Sequence, residues 1–232
     1  MEKIIYPDNI KKIVHRSDIV EYQNVLTPDE CQFIIDYWNS LDDWMLSCFY
    51  NSYVISGNKP GKPEGGPALR QVQLKSQELA EKVFKRNLRP ISLSAHKWEV
   101  GAFAGDHADN AELDGTPNAW EENKLVTMIY LNENFEGGNL TFRDHGIALK
   151  PKTGSFVVFD VGINNVHAVT EVLSGTRYTM LGSYDYADNT YDVDFYAIKQ
   201  SIKKDQEKQK QLWADGKIMP SSTATSYSVI NE

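Results

Sequence analysis

Apolar residues recur at helical spacing in one early stretch of the chain and at alternate positions in many short later runs. After Thr27-Pro28-Asp29-Glu30, apolar side chains stand at 31, 34, 35, 38 and 41, which lines one face of a helix. Thr27 is a capping residue with Glu30 three positions on, so the pattern predicts a helix over about 28–41. Residues 55–69 hold three Pro and four Gly and read as a long surface loop. A second helix is predicted across 76–88. From residue 91 the period shortens to two, and 91–100, 124–133, 137–144, 146–152, 154–160, 166–172 and 176–187 predict the strands of an antiparallel sandwich or barrel. A charged run over 195–214 reads as a late helix, and the polar, uncapped last dozen residues as a loose tail.

Helices first and strands after is the order of a mainly β chain with flanking helices, in the α+β class. It divides into a helical support region over 1–90, part of the same domain, a β core over 91–190, and a C-terminal helix with a flexible tail over 191–232. No internal repeat and no linker splits the chain, and 232 residues suit one domain. The hydrophobic fraction of 41% and charged fraction of 24% are those of an ordinary globular protein rather than a disordered or fibrous one.

A formal charge of −8 argues against a nucleic-acid partner, which calls for clustered Lys and Arg. Charges interrupt residues 1–14 every few positions, and no apolar run approaches the ~18 residues of a membrane span. The expectation is a cytoplasmic protein with no membrane partner. Cys31 and Cys48 are too few for a disulfide scaffold and read as buried free thiols.

Candidate chemistry begins at His107-Ala108-Asp109. In an extended segment, residues i and i+2 share a face, so His107 and Asp109 can converge on one point with Ala108 turned away. His167, 58 residues after Asp109, is far enough along to return on another strand as a third ligand. Two imidazoles and one carboxylate on one side of a metal form the facial triad of non-heme iron(II) sites that activate dioxygen. Catalytic zinc uses the same set, so a metal hydrolase stays open on these residues, as does a jelly-roll binding module without catalysis.

Arg177 follows His167 by ten residues, in an alternating strand after a Ser-Gly turn. A buried Arg needs an anion, and its planar fork matches a carboxylate, so Arg177 reads as the receptor for a small dicarboxylate. The alternative is a strand Arg reaching outward to solvent.

Over about 96–186 these residues resemble the prolyl-4-hydroxylase-like branch of the iron(II)/2-oxoglutarate oxygenases. The ordered matches are Trp98-Glu99-Val100-Gly101, His107-Ala108-Asp109, Tyr130-Leu131-Asn132, Gly137-Gly138-Asn139-Leu140-Thr141-Phe142, Pro151 to Phe159, and His167 with Arg177. A weaker echo lies in residues 24–35. The resemblance implies a double-stranded β-helix, a jelly-roll barrel with helices packed on one outer side. It further implies an Fe(II) cofactor, 2-oxoglutarate as cosubstrate, O2 as reactant, L-ascorbate as a reductant, and release of succinate and carbon dioxide on hydroxylation of a peptide or small-molecule substrate. By the same resemblance His107, Asp109 and His167 are the catalytic metal ligands. Arg177 and Tyr130 bind the cosubstrate's far carboxylate, Leu140 packs on its carbon chain, and Thr179, on the face of Arg177, assists.

The family often has Tyr where this chain has Trp98, and an aromatic where it has Ala104 beside Phe103. Those positions face substrate, which makes Trp98 and Phe103 candidate substrate residues. Trp120, in the polar insertion 111–123, is a third, within a lid or substrate loop; the alternative is a solvated loop with one packed Trp. His15, His96 and His145 show no ligand spacing, and only His96, on the strand leading to the site, is a candidate substrate contact.

Overall fold

The computed structural model describes residues 3–41, 44–47, 52–56, 66–150, 152–192, 194–195, 218–220 and 227–229. Among the described residues, helices α1 (Pro28–Ser40) and α2 (Gly66–Phe84) accompany the strands. The strands of the first half are β1 (Lys11–Arg16), β2 (Ile19–Gln23), β3 (Met45–Leu46), β4 (Tyr53–Ser56), β5 (Leu88–Trp98), β6 (Ala104–His107) and β7 (Leu125–Tyr130). Those that follow are β8 (Glu136–Gly137), β9 (Leu140–Phe142), β10 (Ile147–Leu149), β11 (Phe156–Asp160), β12 (His167–Val169), β13 (Val172–Ser174) and β14 (Arg177–Tyr186).

Eight strands pair in the order β1-β2-β11-β7-β14-β5-β4-β3, and four in the order β10-β9-β12-β6. Every pairing is antiparallel. The two sheets face each other as the expected double-stranded β-helix, and β8 with β13 adds a two-stranded flap.

The major sheet is buried on both faces, which explains the near-continuous apolar runs in its centre. From β7, Leu125 and Ile129 turn toward the helices, while Val126, Met128 and Tyr130 turn into the barrel. In β11, Phe156 and Val158 take the helix side, Val157 and Phe159 the interior. Leu140, Phe142 and Leu149 close the interior from the minor sheet. The α1 face at Cys31, Ile34, Ile35 and Trp38 is buried as its spacing predicted, and the capping box is complete: Thr27 Oγ1 accepts from Glu30 N, and Glu30 Oε2 from Thr27 N. Burial pushes the Cys31 thiol up to about 12, which keeps it unreactive; Cys48 lies outside the described residues.

Three features differ from the sequence expectation. The first 90 residues are not helical alone, since β1 to β4 extend both ends of the major sheet. Helix α2 starts ten residues before the predicted 76, inside the stretch read as a loop, because Pro is tolerated in a first helical turn and Leu69, Val72, Leu79 and Ala80 continue one buried stripe. The expected tail carries a short antiparallel pair, β15 (Ile218–Pro220) with β16 (Tyr227–Val229). The predicted helix over 195–214 lies outside the described residues apart from Phe195.

Helix α2 comes close to the sheet at Gly182 of β14, where a Cβ would stand 2.7 Å from the Tyr184 hydroxyl and 2.8 Å from Ser76 Oγ, two groups hydrogen-bonded to each other. Gly182→Ala is therefore expected to destabilise the fold by about 1–3 kcal/mol through overpacking, measured as a lower urea midpoint with unchanged slope.

Candidate metal centre and anion pocket

The minor sheet brings the separated ligand candidates together. In the antiparallel pairing of β12 with β6, His167 lies directly opposite His107. Asp109 follows just past the end of β6, its backbone N–H donating to Val161 O at 3.0 Å. Asp109 Oδ1 is then 3.3 Å from His107 Nε2 and 3.6 Å from His167 Nε2. Among the described residues, these three are the group whose donor atoms gather within 4.8 Å of one another.

Each imidazole is oriented by its other nitrogen. His107 Nδ1 bonds to Gly105 O at 2.7 Å and His167 Nδ1 to Asn165 O at 3.0 Å. Nδ1 donates to these carbonyls, so each Nε2 is the nitrogen turned toward the shared carboxylate and, once it carries no proton, the one free to ligate a metal. Phe159 and Phe142 pack on the His167 ring, with centroids 4.9 and 5.9 Å away.

Charge at the centre is coupled. Burial opposes ionisation of Asp109, but the imidazoles outweigh it and hold the carboxyl below its ordinary value. Burial also opposes charge on His107, but its bond to Asp109 prevails and holds it above its ordinary value. His167 is pushed down to about 4 by burial and by His107, so it is neutral at pH 7. One carboxylate held between two imidazoles thus favours a cation in its midst, and a divalent metal can take the place of the proton.

The triad opens on a narrow pocket walled also by His96, Trp98, Met128, Phe159, Val169, Thr179 and Leu181. Arg177 begins β14 and is fully buried. Among the described residues, none of its three guanidinium nitrogens has a hydrogen-bond partner, and neither does the buried Tyr130 hydroxyl. The guanidinium carbon lies 5.0 Å from the Trp98 ring and 5.3 Å from the Tyr130 ring. Burial pulls the guanidinium below its ordinary value while the Tyr130 phenol opposes that pull, so the two groups feel each other without meeting in hydrogen-bond geometry. A charged fork and a phenol, both sealed from water and unsatisfied, make a receptor for a carboxylate.

Three residues present that fork. Asn132 spans the peptide groups on either side of Arg177, its Nδ2 donating to Thr176 O at 2.7 Å and its Oδ1 accepting from Tyr178 N at 2.8 Å. Gly138, at φ +60, leaves room for the arginine stem; a Cβ there would lie 2.8 Å from Arg177 Cδ. Trp98 stands opposite Arg177 across β5 and β14, and its indole donates to Thr179 Oγ1 at 3.2 Å.

Of the other sequence candidates, Leu140 is fully buried in the interior cluster with Tyr130. Trp98 and His96 line the cavity, with His96 lowered to about 4 by burial and then by Arg177. Phe103 is exposed and Trp120 half-buried, and neither is among the cavity walls. The 111–123 insertion is braced rather than open: Ala111 bridges Pro117, Glu112 N donates to Thr116 O, and Asn118 Nδ2 donates to Asp109 O at 3.2 Å. Sequence reasoning missed the roles of Asn132, Gly138 and the carbonyls of Gly105 and Asn165; the first two lay within quoted motifs, whereas a backbone carbonyl leaves no mark in residue type.

Residues 93–184 match the family described as the 2OG-Fe(II) oxygenase superfamily. Human prolyl 3-hydroxylase 3 is 27% identical over 168 residues, which are 62% of this chain and 23% of that protein. Human prolyl 3-hydroxylase 2 is 35% identical over 83 residues, 31% of this chain and 12% of that protein. This chain therefore spans under a quarter of the length of these curated relatives. Among solved structures, a viral collagen prolyl hydroxylase from Paramecium Bursaria Chlorella virus-1 shares the fold at TM-score 0.59 and 18% identity, over 73% of this chain and 96% of that one.

Asp109→Ala removes the group both imidazoles face. It is expected to weaken Co2+ binding, followed by calorimetric titration, by more than about 100-fold, beyond the loss typical of an outer-shell partner.

Proposed function

We propose that this chain hydroxylates a prolyl residue of a peptide, with iron(II) held by His107, Asp109 and His167 and 2-oxoglutarate anchored by Arg177, a reading supported by the match of residues 93–184 to the 2OG-Fe(II) oxygenase superfamily. The observation that carries the reading is the fully buried Arg177 guanidinium, unsatisfied at all three nitrogens beside an unsatisfied Tyr130 hydroxyl. A diacid that chelates the metal with one end and meets Arg177 and Tyr130 with the other supplies what both groups lack. The zinc hydrolase and the silent binding module have no use for such a cation, and neither accounts for the pairing of this receptor with the triad.

When bound, iron(II) and 2-oxoglutarate supply the oxidative decarboxylation that yields succinate and carbon dioxide and places one oxygen atom of O2 into a C–H bond. The chain's own residues do the rest. Arg177 and Tyr130 fix the far carboxylate. Leu140, beside Tyr130 in the interior cluster, gives the carbon chain an apolar wall. Thr179 holds the Trp98 indole, which keeps the wall of the pocket under the guanidinium in place. Met128, Phe159, Val169 and Leu181 exclude water from the metal side. The prolyl class is supported by the similarity to human prolyl 3-hydroxylases 3 and 2.

Two measurements test this. Anaerobic addition of Fe(II) and 2-oxoglutarate to the native chain should produce a visible metal-to-ligand charge-transfer band, and proline-containing peptides under air, supplemented with L-ascorbate, should drive succinate release. A native protein giving neither would rule the reading out. Arg177→Ala should raise the 2-oxoglutarate dissociation constant at saturating Mn2+ by about 100-fold, since losing one partner of a buried charge pair costs about 2–5 kcal/mol. Gly138→Ala, which crowds the arginine stem, should move it in the same direction by less. Unchanged affinity in Arg177→Ala would place the anion elsewhere.

A further inference from the structure

We infer that the turn between β1 and β2 positions the third metal ligand: Asp18, acting through the side chain of Asn165, fixes the backbone carbonyl that orients His167. This rests on the reading of His167 as an iron ligand. The two imidazoles are aimed by the same kind of bond but supported differently. His107 leans on Gly105 O within its own strand, so the register of β6 sets its angle. His167 leans on Asn165 O, which belongs to no strand and ends a short 3-10 turn over Ile163–Asn165.

That turn is closed by the backbone bond from Asn165 N to Gly162 O at 2.9 Å. What holds it against rotation is the buried Asn165 side chain. Its Nδ2 donates to Asp18 Oδ2 at 3.0 Å, and its Oδ1 accepts from His145 Nε2 at 2.9 Å, a donor shared with Asn164 O at 2.9 Å. Arg16 grips Asp18, with Nε 2.7 Å from Oδ1, and its Nη1 lies 3.4 Å from His145 Nδ1. A closed ring results, Arg16 to Asp18 to Asn165 to His145 and back. It bolts the N-terminal hairpin to the 3-10 turn Arg143–His145 after β9 and to the connection between β11 and β12. None of the four residues is among the pocket walls, so the ring acts on the triad through the His167 ring angle rather than by direct contact. Asp18 is a positioning residue.

The test is Mn2+ binding to the full chain, read from the electron paramagnetic resonance signal of the free ion. Asp18→Ala should bind Mn2+ about 10–100-fold more weakly, the range typical of losing an outer-shell partner. Asp18→Asn, which keeps an acceptor oxygen for Asn165 Nδ2, should recover most of that loss. The 2-oxoglutarate dissociation constant at saturating Mn2+ should stay near the native value in both, because Arg177 stands outside the ring. Native Mn2+ affinity in folded Asp18→Ala would overturn the inference, as would an equal loss of 2-oxoglutarate affinity or an Asp18→Asn protein no better than Asp18→Ala. Should Asp18→Ala not fold, His145→Ala removes the other brace on Asn165, with the same expected loss and the same overturning result. A native chain that binds no Mn2+ would instead sink the oxygenase reading itself, which separates the two failures.

Discussion

Folding this chain carries a guanidinium charge into the barrel interior with no hydrogen-bond partner for it among the described residues. A buried charge without a partner costs several kcal/mol in lost hydration, and much of the surrounding architecture offsets that cost. Two aromatic rings lend their faces to the cation, Asn132 clamps the backbone on both sides of it, and Gly138 withdraws its side chain to let the stem through. A purely structural core would have put an apolar residue there. Keeping the charge fits the proposed role of Arg177 as the anchor of an anion.

Rigidity at that site comes from burying the major sheet twice. Helices α1 and α2 cover one face, so β7, β11 and β14 cannot slide without exposing apolar surface on that side or on the barrel side. Gly182 lets α2 sit close enough to seal the face, and the helix is thereby linked to the strand that begins with Arg177. Groups carried on strands held in this way need little reorganisation when a ligand arrives.

The cluster of His107, Asp109 and His167 combines short-range and long-range control. One carboxylate serves two imidazoles whose charges are coupled, which makes the three a unit rather than three independent donors. His107 and Asp109 owe their places to one strand end, whereas His167 depends on strand pairing and on a turn braced from the opposite end of the chain.

Whatever is encoded by residue type and local period was legible in the sequence. The capped α1, the alternating strands of the β core, the His107-Ala108-Asp109 pair and Arg177 in its strand are all of that kind, because side-chain period and the cost of burying charge act locally. Strands β1 and β2 were hidden: β1 carries Lys11, Lys12, His15 and Arg16 as a charged edge strand, and β2 buries Glu21, made tolerable by His15 Nε2 at 3.0 Å. The entry of α2 was masked by its Gly and Pro residues. Only the tertiary structure decided that His167 faces His107, that Trp98 lies at the pocket wall while Phe103 and Trp120 stay outside it, and that the carbonyl of Asn165 aims an imidazole. Those facts depend on which strands pair and in what register, an outcome of the whole chain's burial that no single stretch of sequence contains.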